Sequence, residues 1–182
     1  MSRALPEAKR RARDAYYTPD ALASALVGLL DVDGLTVWEP HVGGGAFASA
    51  ARDAGASLYI SDVHDTSVAA AMDLQPRAAA VADFVDLKWA PDWIIGNPPY
   101  RQAEEHIRHA LTCCDRVAFL LRLGVLESTK RAPLWVDHPP AVVHVLQQRP
   151  SFTGGGTDSA AYGFFVWEPH EGPTALRWLS WR

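Results

Sequence analysis

Cysteine is nearly absent: Cys113 and Cys114 are the two in 182 residues, and they are adjacent. With no second pair, they make neither a disulfide framework nor a thiolate zinc site, and in a predicted helix they read as packing residues. Long apolar runs are missing too. None approaches the ~20 residues of a membrane span, and the basic N-terminus has no neighbouring apolar stretch of the secretion-signal kind. The expectation is a cytoplasmic protein with no membrane partner. The seven histidines are spread along the chain, and none shares a metal-ligand spacing with another acid or thiol. His41 lies inside a glycine loop, where it could touch a ligand, and receives no role.

An overall positive charge is also lacking, since the net charge is -4. Its distribution is uneven. Five of the 17 basic residues (Arg3, Lys9, Arg10, Arg11, Arg13) fall in the first 13 positions, beside one acid, Glu7. Residues 1–14 thus read as a basic, flexible arm on an acidic body, able to contact phosphates or simply to be solvated. What is present is an ordinary globular composition, 48% apolar and 21% charged, and residues 15–182 are expected to form one domain.

The predicted elements alternate. Thr18 and Pro19 suggest an N-cap followed by proline at the first position of a helix over about 20–30. Strands are expected at 35–38, 57–61, 78–81, 93–96, 117–121, 141–146, 162–167 and 176–181. Helices are expected at 46–54, 66–74, 101–114 and 126–136. Strands alternating with helices imply a mostly parallel sheet covered on both faces. Two late strands with no helix between them suggest an antiparallel edge hairpin. In such sheets ligands bind beyond the carboxyl ends of the strands, where strand order reverses.

The chemistry-bearing motifs fall at those ends. Asn97-Pro98-Pro99-Tyr100 follows the apolar run Trp93-Ile94-Ile95-Gly96. An amide, two fixed prolines and an aromatic ring can grip a flat amine-bearing group, although Asn-Pro and Pro-Pro also mark ordinary turns. Glu39-Pro40-His41-Val42-Gly43-Gly44-Gly45 follows the first strand and opens a helix whose N-terminus favours a carboxylate or phosphate. Glycine there permits positive φ and close approach to a ligand. A carboxylate at Glu39 would repel a pyrophosphate but suit an ammonium or sulfonium, which favours S-adenosylmethionine over a dinucleotide. Asp62, ending the second strand, is placed to accept ribose hydroxyls and is preferred to nearby Asp65. Asp83 and Phe84 follow the third strand, where an acid can accept from an adenine amine while the ring packs on its face. The alternative for Asp83 is a helix N-cap.

Taken in order, Tyr16-Tyr17-Thr18-Pro19, Glu39-Pro40-x-x-Gly43-x-Gly45-x-Phe47, Asp83-Phe84 and Asn97-Pro98-Pro99-Tyr100 resemble the S-adenosylmethionine-dependent N6-adenine DNA methyltransferases, in particular the small phage-associated kind. The likeness covers roughly residues 15–168. It implies a Rossmann-like class I methyltransferase, a seven-stranded mostly parallel sheet with an antiparallel edge hairpin and helices on both faces, in a bacterial or phage-infected cell. It implies that Tyr17 and Thr18 close over the methionine end of the cofactor. Glu39, Gly43, Gly45, Asp62, Asp83, Phe84 and Asn97 would be cofactor contacts, and Asn97, Pro98 and Tyr100 catalytic.

In that reading the Asn97 side-chain oxygen and the Pro98 carbonyl accept the two N–H bonds of adenine's exocyclic amine and localise its lone pair, and the prolines pre-aim the backbone. Tyr100 stacks on a base flipped out of the duplex. Phe152 resembles the family's second aromatic on the other face of that base, or else packs on the core. Arg101, Lys130, Arg131 and Arg149 could track the phosphate backbone of DNA, or of RNA, or be solvated surface. The larger relatives' separate target-recognition domain has no counterpart here. Protein glutamine N5-methyltransferases and RNA amine methyltransferases share the problem of a delocalised nitrogen, and a non-catalytic S-adenosylmethionine-binding scaffold is the rival outside enzymes.

Overall fold

The computed structural model describes residues 17–152 and 159–182, so the basic arm, Tyr16 and the glycine run Gly154–Gly156 lie outside the described residues. Among the described residues the first element is helix α1 (Asp20–Val27). Strand β1 (Thr36–Glu39), helix α2 (Ala46–Asp53), strand β2 (Ser57–Asp62), helix α3 (Asp65–Ala71) and strand β3 (Ala78–Val81) follow. Then come β4 (Trp93–Gly96), α4 (Ala103–Cys113), β5 (Val117–Arg122) and α5 (Ala132–Asp137). Strands β6 (Val142–Leu146), β7 (Tyr162–Trp167) and β8 (Ala175–Leu179) complete the order.

One sheet collects every strand in the order β3-β2-β1-β4-β5-β7-β6-β8. Its middle strands are buried on both faces, which is why they read as continuous apolar runs. In β5, Ala118 and Leu120 face one core with Phe47, Leu22 and Leu26 of the α1–α2 layer. Val117, Phe119 and Leu121 face the other, with Ile107 and Ala110 of α4. The two-residue period of the strand divides the side chains between the two layers.

Two expectations need correction. Among the described residues the sheet has eight strands rather than seven. After β7 the chain returns past β6 and pairs Ala175–Leu179 in parallel with Val142–Leu146, taking β6's open edge. Leu176 and Trp178 are exposed on this strand. The antiparallel element is β7, which pairs with both β5 and β6, so it lies inside the sheet and β8 forms the edge.

The second correction concerns Thr18. Pro19 itself is the N-cap of α1, without a side-chain cap bond, and Asp20 is the first helical residue. The Pro19 carbonyl accepts from the Leu22 and Ala23 N–H groups, so the Thr18 hydroxyl is left to act elsewhere.

Strand order reverses between β1 and β4, which pair Val37 with Trp93 and Trp38 with Ile94. The crevice beyond that pair receives the ends of β1, β2 and β4. Because β5 and β6 run parallel to β4, the segments after Arg122 and after Leu146 open on the same side. No helix among the described residues is long and apolar enough to cross a membrane.

Candidate active site

The glycine loop is held by main-chain bonds. Val42 N–H donates to the Ser61 carbonyl at 3.0 Å and Gly45 N–H to the Val42 carbonyl at 2.6 Å. Gly43 and Gly45 take positive φ, 47° and 78°, where a side chain would be strained. Gly44 is needed for space instead: a Cβ there would stand 2.9 Å from Cδ1 of Tyr17. The Tyr17 ring therefore lies on the loop, over the entry to α2.

Asp62 fastens the loop to β2. Its two carboxylate oxygens accept from Gly43 N–H and His64 N–H, each at 2.9 Å. Asp65, the competing acid, is exposed and accepts from its neighbour Thr66 N–H. Glu39 turns into the first turn of α2, where it accepts from Ala48 N–H at 2.7 Å. Burial pushes its carboxyl well above the ordinary value, against the lowering effect of that bond. Its place is thus under the loop, as a support for the helix N-terminus.

A cavity of about 470 Å³ opens at the reversal point. Tyr17, Gly43, Asp62 and Asp83 line it together with Asn97, Pro98 and Tyr100, and Phe84 is also in the wall. Asp83 caps a short 3-10 turn over Phe84–Asp86 and accepts from Val85 N–H at 3.3 Å, while still reaching the cavity. Thr18, Glu39, Gly45 and Phe152 stand outside the lining.

The tetrapeptide has trans peptide bonds throughout. Pro99 ends it by capping the 3-10 turn Tyr100–Gln102, and its carbonyl takes Gln102 N–H at 3.0 Å. Asn97 Nδ2 donates to the Thr18 hydroxyl at 3.3 Å, joining segments 79 positions apart. The Tyr100 ring carries the Arg122 guanidinium 4.7 Å from its centre and meets Tyr162 at 5.7 Å. Burial, with Tyr162 beside it, pushes the Tyr100 phenol above its ordinary range, so it stays neutral. Arg122 Nε also donates to the Tyr162 hydroxyl at 3.1 Å. Phe152 is buried and packs edge-on against Tyr162 at 5.1 Å, one ring removed from Tyr100.

The four cations expected near nucleic acid occupy this edge of the sheet but not the cavity. Arg101, Lys130 and Arg149 are exposed. Arg131 donates to the Gly124 and Glu127 carbonyls at 3.3 Å and so closes its own loop. The two cysteines are free thiols, and burial lifts Cys114 to about 11, which suits packing rather than reactivity.

Two features escaped the sequence reading. Arg122 ends β5 next to β4, a position that topology could have flagged. The other is a pair of histidines in the cavity wall: His41 and His106 stack with ring centres 4.7 Å apart and 7° between planes. Phe84 meets both edge-on. Burial is the main cause that holds each below its ordinary value, His106 at about 4. His106 faces His41 and His109, which disfavour its charge, and Asp83, which favours it.

A histidine whose folded value is depressed is protonated first in the unfolded chain, so its stabilisation is present above about 6.5 and lost as pH falls from there toward 4. Denaturant midpoints are expected to fall over that range. His106→Phe should remove part of the fall, about 2 kcal/mol between pH 6.5 and 4.5. A pH dependence identical in the variant would exclude His106 as its source.

No family model matches the sequence, and no curated protein sequence matches it significantly. Solved structures do match in shape. The M protein of the type I restriction enzyme EcoKI aligns with a TM-score of 0.70 at 13% identity, over 85% of this chain and 44% of that one. The 23S rRNA methyltransferase ErmE aligns at 0.66 and 12%, over 86% and 71%. The magnesium protoporphyrin IX methyltransferase of Synechocystis PCC 6803, solved with bound SAM, aligns at 0.62 and 15%, over 93% and 100%. The chain has the Rossmann-like fold of class I methyltransferases. Within this fold, Gly43 of the glycine loop and Asn97-Pro98-Pro99-Tyr100 line one cavity.

Proposed function

We propose that the chain transfers the methyl group of S-adenosylmethionine to the exocyclic N6 amine of adenine in DNA. The observation that carries this is the placement of Asn97, Pro98 and Tyr100 in the same cavity wall as Gly43, Asp62 and Asp83. An amine-gripping tetrapeptide and a nucleoside-binding acid set thus share one space.

The residues fit the cofactor. The Asp62 carboxylate, already anchored, has lone pairs left for ribose hydroxyls. Asp83 suits an adenine amine, and the glycine loop under Tyr17 makes a cradle that a Cβ on Gly44 would fill. When bound, the group supplies an electrophilic methyl. Asn97 Oδ1 and the Pro98 carbonyl would accept the two amine hydrogens of the target base and turn the nitrogen lone pair out of the ring plane. The nitrogen becomes acidic as the methyl arrives and sheds its proton to water, so no strong base is required. Tyr100, steadied by Arg122 and Tyr162, would offer a ring edge or face to the base.

Gly44→Ala tests the cradle. Tyr17 is 56% exposed and free to swing, so the variant should fold normally. Its affinity for S-adenosylhomocysteine should fall about tenfold, read by calorimetry, with the loss of one ring contact. Unchanged affinity would remove Tyr17 from the cofactor site.

The function itself is tested by mass spectrometry of nucleosides from DNA and from RNA, each incubated with protein and cofactor. N6-methyladenine in the DNA sample is expected. Methylation confined to RNA would move the substrate to the RNA amine class, and no methylated nucleoside in either would overturn the reading.

A further inference from the structure

We infer that Thr18 is a positioning residue that fixes the orientation of the Asn97 amide. The inference rests on the reaction proposed above. An amide is nearly symmetric in shape, because its oxygen and nitrogen differ little in size and only hydrogen bonding tells them apart. The Pro98 carbonyl belongs to the main chain and cannot be inverted. The Asn97 side chain can, and a half-turn about its last bond would present N–H groups to the N–H groups of an incoming amine. Donor would then meet donor, and the grip on the amine would be lost.

The Thr18 hydroxyl is a described contact from outside the tetrapeptide that bears on the sense of the amide, beside the Tyr100 hydroxyl within it. The Thr18 hydroxyl accepts from Asn97 Nδ2 at 3.3 Å, which turns Oδ1 away from Thr18. The hydroxyl is available because Pro19, and not Thr18, caps α1. The strap that carries it is docked by the neighbouring Tyr17 ring on Gly43 and Gly44.

A hydroxyl can give or take, so the sense of its bond to Asn97 follows from where its own proton goes. The strap lies over the entry to α2, where the helix N-terminus favours a bound carboxylate. An anion under the strap would accept a hydrogen bond from the Thr18 hydroxyl and leave the hydroxyl oxygen to accept from Asn97. Cofactor occupancy and amide orientation would in this way be linked through one side chain.

The test uses the full chain with Thr18→Val, which keeps the shape and removes the hydroxyl, and Thr18→Ser, which keeps the hydroxyl. Single-turnover methyl transfer at saturating cofactor and calorimetric binding of S-adenosylhomocysteine are measured on the same preparations. Thr18→Val should lower the transfer rate at saturating cofactor about tenfold, in addition to any loss of affinity from removing the hydroxyl's bond to the bound anion, and Thr18→Ser should recover most of the rate. A weakened affinity with an unchanged rate would make Thr18 a cofactor contact only and overturn the inference, as would equal rates in all three proteins.

A second readout does not depend on turnover. In ¹⁵N spectra of the complex with S-adenosylhomocysteine, the side-chain NH₂ of Asn97, assigned by its disappearance in Asn97→Ala, should exchange with water about tenfold more slowly in the wild type than in Thr18→Val. Equal exchange would overturn the inference. Should wild-type protein methylate no nucleic acid while the amide signal still depends on Thr18, the proposed substrate fails and the Thr18 contact stands.

Discussion

Asn97→Ala is expected to lower the rate of methyl transfer at saturating cofactor about 10²–10³-fold while leaving thermal stability close to that of the wild type. The magnitude follows from the comparable loss of one oriented group that acts on charge developing in a transition state. The exocyclic nitrogen of adenine is a weak nucleophile because its lone pair is shared with the ring. Two acceptors must pull on its hydrogens together, and Pro98 alone can hold one. Stability should change little because Asn97 is only half-buried at a strand end and the neighbouring Gly96 and Pro98 retain the backbone path. Asn97→Asp keeps an oxygen at the same place and should lose less than Asn97→Ala. The order of the three rates, measured at saturating cofactor, is the check. An Asn97→Ala protein that turns over within threefold of the wild type would remove the tetrapeptide from the chemistry and leave it an ordinary turn.

The sequence made the α/β order legible because its signals are local. Trp93–Gly96 is a short apolar run closed by prolines, and Val117–Leu121 is apolar on both faces, as a strand between two helical layers must be. Where boundaries depend on one residue, local signals were less secure. Thr18 before Pro19 looks like a cap before a first helical proline, yet the chain enters α1 one residue later and Pro19 takes the cap. The role of β8 depends on which edge of the sheet remains open, a property of the whole assembly that Leu176–Trp181 does not encode by itself.

The same division holds in the site. Glycines at 43 and 45 and acids at 62 and 83 are tied to strand ends, so their neighbourhood follows from the order of elements. The contacts of His106 and Arg122 were invisible for the opposite reason, although the place of Arg122 at the end of β5 follows from the order of elements. His106 meets His41 because α4 packs under the loop after β1, and Arg122 meets Tyr100 because β5 lies beside β4. Neither pairing has a spacing in the chain that could announce it. Glu39 shows a third case: its position was legible but its partner was not, since one carboxylate oxygen accepts from Ala48 N–H, nine residues on.

Asp62→Ala should raise the dissociation constant of S-adenosylhomocysteine at least about 100-fold and also destabilise the fold by about 2–3 kcal/mol. Both effects come from one carboxylate with two kinds of work. In the folded chain it satisfies the N–H groups of Gly43 and His64, and the residue is only 8% exposed. Removing it leaves two donors without their acceptor, at about 1–3 kcal/mol each where water cannot replace it. Loss of the charge-assisted bonds it would make to a ribose, about 1.5–3 kcal/mol for each, accounts for the affinity. Asp62→Asn separates the two roles in part, because it keeps one oxygen but places an NH₂ against a main-chain donor. It should therefore stand between wild type and Asp62→Ala in both measurements. Asp65→Ala, three residues on and exposed at the start of α3, should leave affinity unchanged. Denaturant titration and calorimetry on these three variants decide the assignment: an Asp62→Ala protein that is destabilised yet binds normally would make Asp62 a clamp of the glycine loop alone, and a loss of binding in Asp65→Ala would transfer the ribose to that residue.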